Sequence, residues 1–376
     1  MSARGTPAVK AGPGEVATVR SLLIEIATTP APTGSEAARG EVVARHWRDA
    51  GLDTHFDAIG NVVASLPGSG AGADAGPTVM LACHLDSVFG EHVDVSVDRE
   101  DPTRWVGAGL GDNAASLAVL TQWLKERGTG RWPNLTLEAT VGEEGLGDLR
   151  GARHAVETLG EGTDLFIALD GYLGSVIDVG VGSRRYEATF KAPGGHSWGD
   201  YPSPSATHAA GDAMARLADL RVPKAPRSSL NIGQIWGGTS INAIAERAGC
   251  TLDMRSVDQD AVASLERAAL AAIRQAAAAK GAEVELTQVG DRPAGSCSSP
   301  RLLEAAKDAF EAVGLTPSTN AGSTDANAAM AAGIPALCFG VYRGGNAHRL
   351  DEWVAPDSLT TGVAALRELL ARLTKL

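Results

Sequence analysis

Acidic and imidazole side chains occur in five short motifs that lie far apart in the chain. Each motif directly follows an apolar run that is typical of a β-strand, such as residues 79–83 before His84 and residues 165–169 before Asp170. In an open α/β sheet, ligand sites gather outside the carboxyl ends of the strands, so we expect the motifs to meet at one edge of a sheet. The motif residues are His84, Asp86, Asp112, Glu143, Glu144, Asp170 and His348.

These residue types are the ones that a site for two divalent metal ions requires. Neutral histidines and carboxylates bind zinc-like ions through nitrogen and oxygen. A metal pair also needs a carboxylate that binds both ions, a water molecule, and a base that takes a proton from that water. Two histidines and several acids are present, and the Glu143–Glu144 pair offers a base beside a ligand. The set as a whole predicts a two-metal hydrolase.

Taken singly, the motifs also have structural interpretations. A His-x-Asp sequence occurs often by chance, a Glu-Glu pair is usually on a solvated helix face, and Asp170 and His348 fit an ordinary turn and loop. Gly142 and Gly145 flank the two glutamates after a strand, which favours a loop at a strand end. It is the joint occurrence of the motifs, in this order, that favours the metal site.

Strand and helix patterns alternate in the first part of the chain. Such alternation predicts a mixed or parallel sheet that is covered on both faces. Residues 69–77 are almost all Gly, Ala and Asp and predict a surface loop, and Ser35 is a candidate cap for the second helix. The predicted helices are residues 15–27, 35–50, 114–127 and 149–158, and the predicted strands are residues 61–66, 79–83, 135–141 and 165–169.

The pattern changes after about residue 182. Residues 184–288 follow the order strand, helix, two strands, helix, strand, which predicts a small α+β sandwich. The earlier pattern resumes at residue 300. We therefore expect a discontinuous catalytic domain, residues 1–182 and 296–376, that is interrupted by an inserted lid and dimerisation domain, residues 183–295.

Composition excludes several classes of protein. The net charge of -12 and the lack of a basic stripe argue against nucleic-acid binding. No apolar stretch reaches 18 residues, so a membrane protein is not expected, and the N-terminus lacks the apolar region of a signal peptide. The four cysteines are scattered, which disfavours a disulfide framework. We expect a cytoplasmic location.

In this order and context, the motifs resemble those of the dinuclear zinc exopeptidases and deacylases, the family that includes peptidase T, aminoacylase and succinyl-diaminopimelate desuccinylase. The resemblance extends from the first helices to Val354. Asp170-Gly171 and residues 323–327 are most similar to peptidase T-like members, although Gly-Asp-Asn at residues 111–113 departs from the Asp-Asp of peptidase T. The resemblance implies an α/β fold in which a mixed-sheet catalytic domain carries an inserted ferredoxin-like α+β lid that usually dimerises.

The resemblance also implies a role for each motif residue. Two divalent ions per subunit are expected, with zinc as the leading metal and cobalt or manganese as alternatives. Asp112 would bind both ions, and the Asp112–Asn113 peptide bond is expected to be cis. Glu143 would be the general acid/base, and Asp86 would orient an imidazole. The expected metal ligands are His84, Asp112, Glu144, Asp170 and His348.

Five further residues are implied as substrate-binding residues. His196 would reach the active site of a partner subunit and stabilise an oxyanion there, although a turn histidine is the alternative. Asn242 would be a polar contact, and Arg255 would bind a substrate carboxylate unless it only stabilises a strand end. Gly322 and Ser323 would lie on a glycine-rich loop on the substrate side.

The predicted function is a metal-dependent exopeptidase, such as an aminopeptidase, that acts on short peptides as a homodimer. An N-acyl amino acid amidohydrolase would use the same residues and remains the alternative. A non-catalytic binding protein is disfavoured because Glu143 and every ligand position are filled.

Overall fold

A computed structural model describes residues 18–70, 76–128 and 130–376. Part of the predicted 69–77 loop and the first residues of the predicted 15–27 helix lie outside these ranges. The helices are Val19–Ala27 (α1), Ala37–Asp49 (α2), Ala114–Glu126 (α3), Arg150–Leu159 (α4), Ala206–Ala218 (α5), Gln259–Ala279 (α6), Pro300–Ala312 (α7), Ala326–Ala331 (α8) and Ser358–Leu373 (α9). In these ranges, no helix is both long and apolar enough to cross a membrane.

Within the described residues, the strands form one large sheet, one four-stranded sheet and two small ribbons. Those of the first half are Thr54–Phe56 (β1), Val62–Leu66 (β2), Thr78–His84 (β3), Trp105–Val106 (β4), Asn134–Thr140 (β5), Leu165–Leu169 (β6), Ser175–Gly180 (β7) and Gly182–Lys191 (β8). The others are Gly195–His196 (β9), Ser228–Gly237 (β10), Ala243–Ile244 (β11), Arg247–Ser256 (β12), Glu283–Arg292 (β13), Gly295–Ser296 (β14), Ser318–Gly322 (β15), Ala336–Phe339 (β16), Gly344–Gly345 (β17) and Trp353–Val354 (β18).

The large sheet has the order β1-β2-β5-β3-β6-β16-β7-β14, and β15 pairs with β7. Its centre is parallel, because β5, β3, β6 and β16 run in the same direction. Strand β2 is antiparallel to β1 and β5, and β7 is antiparallel to β16 and β14 but parallel to β15. The predicted mixed sheet is therefore confirmed. The central strands are buried on both faces, which explains why they consist of continuous apolar runs.

Helices cover both faces of this sheet. Helices α1, α3, α7 and α9 pack together over one face, and α4 and α8 pack together over the other. The first face holds the largest buried side chains, including Trp47, Trp123 and the stacked rings of Phe310 and Phe339, whose centroids are 4.1 Å apart. This packing holds in place the strand ends at which the predicted site residues lie.

The four-stranded sheet and helices α5 and α6 form a separate α+β unit. Its strands are antiparallel in the order β10-β12-β8-β13, so the first and last strands of the unit are neighbours, as in a ferredoxin-like fold. It has its own apolar core, which includes Phe190, Met254 and Ile273. The chain enters this unit at Gly182 and returns to the large sheet at Gly295, so the expected inserted α+β fold is present.

The predicted cap of the second helix is wrong. Glu36, not Ser35, directly precedes α2, and the Glu36 side chain makes no capping hydrogen bond to the helix. The Glu36 carboxylate instead accepts hydrogen bonds from the backbone N–H groups of Gly34 and Gly142, at 2.7 and 3.1 Å. The residue at the start of α2 is therefore engaged in a long-range contact with the loop after β5, and local capping preferences do not reveal such a contact.

Glu138 on β5 is a buried acid outside the predicted site. It is fully buried, and neither carboxylate oxygen has a hydrogen-bond partner among the described residues. Burial, and then the nearby carboxylates of Asp57 and Asp325, raise the pKa of Glu138 from 4.5 to about 8.

We expect Glu138→Gln to have a higher free energy of unfolding than the unchanged protein at pH 8, and we expect this difference to disappear toward pH 4.5. Because the folded-state pKa is the higher one, the unchanged protein loses stability as the pH rises through this window. Each pKa unit corresponds to about 1.4 kcal/mol, so the difference should reach a few kcal/mol. Urea unfolding over a pH series measures it, with Glu283→Gln, at an exposed position, as the control. A difference that does not vary with pH would contradict the prediction.

Candidate metal centre and active site

The predicted site residues come from strand ends and from the loops that follow them. His84 is the last residue of β3, and Asp170 directly follows β6. Glu143 and Glu144 lie in the loop after β5, the parallel neighbour of β3. Asp112 lies just before α3, and His348 lies between β17 and β18 with a φ of 66°. The structure thus brings the motifs to one edge of the large sheet.

The donor atoms of these residues form three overlapping groups. Within each group they lie within 4.8 Å of one another, and the groups are His84 with Asp112 and Asp170, Asp112 with Glu144 and His348, and His84 with Glu143 and Glu144. Asp112 belongs to the first two groups. Its Oδ1 lies 2.9 Å from His84 Nε2 and its Oδ2 lies 3.1 Å from His348 Nε2. A carboxylate so placed is suited to bind two ions at once.

The charges of the cluster also fit divalent cations. Burial, and then the neighbouring Asp112, raise the pKa of Asp170 to about 8, while hydrogen bonds to Asp112 and Glu144 raise the pKa of His348 to about 10. Both shifts mean that the cluster favours added positive charge, here as protons on Asp170 and His348. Divalent ions would supply that charge in their place, with N and O ligands of the kind that zinc prefers.

Asp86 organises the loop after β5 as well as the imidazole of His84. His84 Nδ1 lies 3.0 Å from the Asp86 carbonyl oxygen and 3.4 Å from its carboxylate. The two carboxylate oxygens accept hydrogen bonds from the backbone N–H groups of Glu143 and Glu144, each at 2.9 Å. Thr33 donates a further hydrogen bond to Oδ2 at 2.8 Å. A single buried carboxylate therefore positions three of the site residues.

Glu352 supports the segment that carries Asp112, although no motif in the sequence singles it out. Its buried carboxylate accepts hydrogen bonds from the backbone N–H groups of Gly109, Gly111 and Asp112, at 2.9, 3.0 and 2.8 Å. Asn113 donates to the Leu169 carbonyl oxygen at 3.0 Å, and the Asp112–Asn113 peptide bond is cis, as expected. The one local signal for Glu352 is that it lies four residues after the predicted ligand His348.

A cavity of about 820 Å³ opens beside the cluster. Its lining includes most of the predicted metal ligands, the predicted general base Glu143 and three arginines of the α+β unit, Arg185, Arg255 and Arg292. Gly322 and Ser323 also line it, at the end of β15. His84 is buried and is not among the residues that line the cavity.

Arg292, at the end of β13, is a second residue that sequence reasoning missed. Its Nη1 donates to Glu143 Oε1 and to Ser323 Oγ, both at 3.1 Å, and its Nη2 donates to the Glu143 carbonyl oxygen. Burial raises the pKa of Glu143 well above its usual value, while the Arg292 charge opposes that rise.

His196 and Asn242 lie outside the lining of this cavity. They are exposed neighbours, because β9 pairs with β11 and Ser197 N–H donates to the Asn242 carbonyl oxygen at 3.0 Å. His196 Nδ1 accepts hydrogen bonds from the backbone N–H groups of Trp198 and Gly199, both at 3.2 Å. In a neutral imidazole the proton is then on Nε2, which leaves an exposed donor.

Comparison with known proteins gives consistent matches over most of the chain. The model of a family described as Peptidase family M20/M25/M40 matches residues 80–372. The uncharacterized protein YqjE of Bacillus subtilis is 27% identical over 348 residues, which are 85% of this chain and 88% of that protein.

Two solved structures are similar over nearly the whole length. Aminopeptidase PepT from Bacillus cereus superimposes with a TM-score of 0.77 at 22% identity and covers 94% of this chain and 98% of its own. A tripeptidase from Staphylococcus aureus gives a TM-score of 0.81 at 21% identity, over 95% of this chain and 98% of its own. At these identities the two structures establish a shared fold.

Proposed function

The chain belongs to peptidase family M20/M25/M40 and is a metallopeptidase, and on that premise we propose that it is an exopeptidase that hydrolyses short peptides. The observation that carries the proposal is the cluster of two histidines and four acids beside one cavity, in which Glu143 stands next to a ligand glutamate. The likeness to an aminopeptidase and a tripeptidase supports short peptides as the substrate class.

The proposed ligands of one ion are His84 and Asp170, those of the other are Glu144 and His348, and Asp112 is shared. Bound divalent ions would polarise the scissile carbonyl group and lower the pKa of a water molecule. Zinc is the leading metal, with cobalt or manganese as alternatives, since histidine and carboxylate ligands suit all three.

Glu143 is proposed to accept a proton from the water molecule and to give it to the leaving amine. Its backbone is fixed by Asp86, and its carboxylate is fixed by Arg292. Because Glu143 lines the cavity, it can exchange protons with a bound substrate.

Arg255 is proposed to bind a carboxylate of the substrate. Its Nε donates to Asp253 Oδ2 at 2.8 Å, and its side chain is 41% exposed, so donors of the guanidinium remain available on the cavity wall. An arginine held in this way binds a carboxylate through two parallel hydrogen bonds. Gly322 and Ser323 are proposed to contact the same substrate.

The proposal includes the assembly. Residues 183–295 would act as the lid and dimerisation domain, and 1–182 with 296–376 as the catalytic domain. The exposed Nε2 donor of His196, outside the cavity of its own chain, suits a residue that completes the site of a partner subunit. Asn242, beside it, would contact the same substrate. The predicted cytoplasmic location belongs to this proposal.

A parallel assay of dipeptides and tripeptides against N-acetyl and N-succinyl amino acids tests the substrate class. We expect the peptides to be hydrolysed faster, and we expect activity to disappear with a strong chelator and to return with zinc, cobalt or manganese. Full activity in the presence of the chelator would contradict the metal-dependent mechanism. A preference of about a hundredfold, roughly 3 kcal/mol, for an acyl amino acid would identify an amidohydrolase instead.

A further inference from the structure

Contacts from the α+β unit converge on the loop that carries Glu143 and Glu144. Arg185 Nη1 donates to the Gly145 carbonyl oxygen at 2.6 Å. The Asp291 backbone N–H donates to Asp148 Oδ1 at 2.9 Å, and Arg153 on α4 donates to the carbonyl oxygens of Asp148 and Asp291. Residues of β8 and β13 in the α+β unit therefore hold the loop between β5 and α4 in place.

Of the residues in the α+β unit that contact this loop, Arg292 is the one whose side chain contacts that of Glu143, the proposed general base. Its side chain is 5% exposed, and that of Glu143 is 6% exposed, so the ion pair is shielded from water. One guanidinium holds both the carbonyl oxygen and the carboxylate of Glu143, which restrains the backbone and the side-chain rotamer together. The same Nη1 also donates to Ser323, so Glu143 is tied to the substrate-side loop.

We propose that Arg292 is a positioning residue through which the α+β unit of the same chain sets the carboxylate of Glu143 for proton transfer. This inference rests on the proposed function, in which Glu143 is the general base. Proton transfer demands a heavy-atom separation of about 2.6–3.2 Å, so a glutamate free to change rotamer spends little time in reach of the water. The geometry further implies that the Glu143 carboxylate is correctly positioned only while the α+β unit contacts the loop after β5 as it does in this structure.

Burying the charge of Arg292 costs free energy, which argues that the Arg292–Glu143 ion pair does more than fill space between the two parts of the protein. Glu143 is its ion-pair partner, and its Nε has no acceptor among the described residues. Buried ion pairs are often replaceable by apolar residues without loss of stability. A residue that only held the α+β unit in place would not need to reach the catalytic carboxylate.

Arg292→Ala tests the inference. We expect kcat to fall about 10²-fold, the penalty typical of a misplaced catalytic group, while KM changes only a few-fold. The metal content should stay at that of the unchanged protein. Added guanidinium ion, compared with sodium at equal ionic strength, should restore part of kcat, and a crystal structure of the variant should show the Glu143 carboxylate displaced or in more than one rotamer. If the alanine variant does not fold, Arg292→Gln takes its place, with the loss of kcat and the displaced Glu143 carboxylate as its readouts, since glutamine leaves too little room for a guanidinium ion.

Arg153→Ala is the matched control, since Arg153 contacts the same loop and the same strand without contacting Glu143. We expect its kcat to stay within a few-fold of the unchanged protein. An equal loss in Arg153→Ala, an unchanged kcat in a folded Arg292 variant, or no response of Arg292→Ala to guanidinium would each overturn the inference. The proposed function is judged separately, by the chelator response and substrate preference of the unchanged protein, and the position of Glu143 in the crystal does not depend on either.

Discussion

Glu143→Gln should reduce kcat by about 10²–10⁴-fold, the contribution typical of a general acid/base. Glutamine is the appropriate replacement because its amide oxygen can still accept the hydrogen bond from Arg292, and its backbone can still be held by Asp86. The change removes the proton acceptor with little change in shape. Steady-state kinetics on the best peptide, with metal analysis of the same sample, measures the effect.

Metal content distinguishes loss of the base from loss of the site. Glu143 belongs to one of the three donor groups, but the two groups that share Asp112 do not include it. We therefore expect about two ions per chain in Glu143→Gln, as in the unchanged protein. Glu138→Gln, on the strand that leads into the same loop, is the matched control and should retain its kcat. Unchanged turnover in Glu143→Gln would contradict the assignment of the base.

The parts of the site that the sequence predicts are those at the ends of buried strands. His84 and Asp170 follow apolar runs whose length and composition are local signals, and parallel pairing of β3 and β6 brings the two ends together. The inserted unit was predicted for a similar reason, since six elements in the order of a ferredoxin-like fold are recognisable one by one. Strand β7 was missed because Asp178 interrupts its apolar residues and Gly174 and Gly180 lie at its ends, so Ser175–Gly180 has no continuous apolar run.

The residues that the sequence did not predict act over long separations. Glu352 holds the backbone of Asp112 across 240 positions, and Arg292 holds Glu143 across 149. Neither has a local pattern that separates it from a surface charge, because its partner is defined only once both loops are placed. The same reason explains Glu36, whose carboxylate binds a loop instead of its own helix. Positioning residues are thus the least predictable part of this site.

His196→Ala should lower kcat by about 10²–10³-fold, the usual penalty for one missing oxyanion donor. The imidazole is exposed and is held with Nε2 free, and it lies outside the cavity lining of its own chain. We therefore expect the imidazole to act on the site of a partner subunit. Its removal should leave metal content unchanged, because it belongs to none of the donor groups found in the described residues.

Mixed dimers decide whether His196 acts across the interface. A chain with His196→Ala keeps its own Glu143, and a chain with Glu143→Gln keeps its own His196, so a dimer of the two contains one site with both residues and one with neither. Each variant alone should be nearly inactive, and co-expressed, doubly tagged heterodimers should recover up to about half of the activity of the unchanged dimer, because every heterodimer holds one complete site of its two. Recovery in heterodimers would require His196 to reach the partner, whereas heterodimers as inactive as the parent variants would place its action within its own chain.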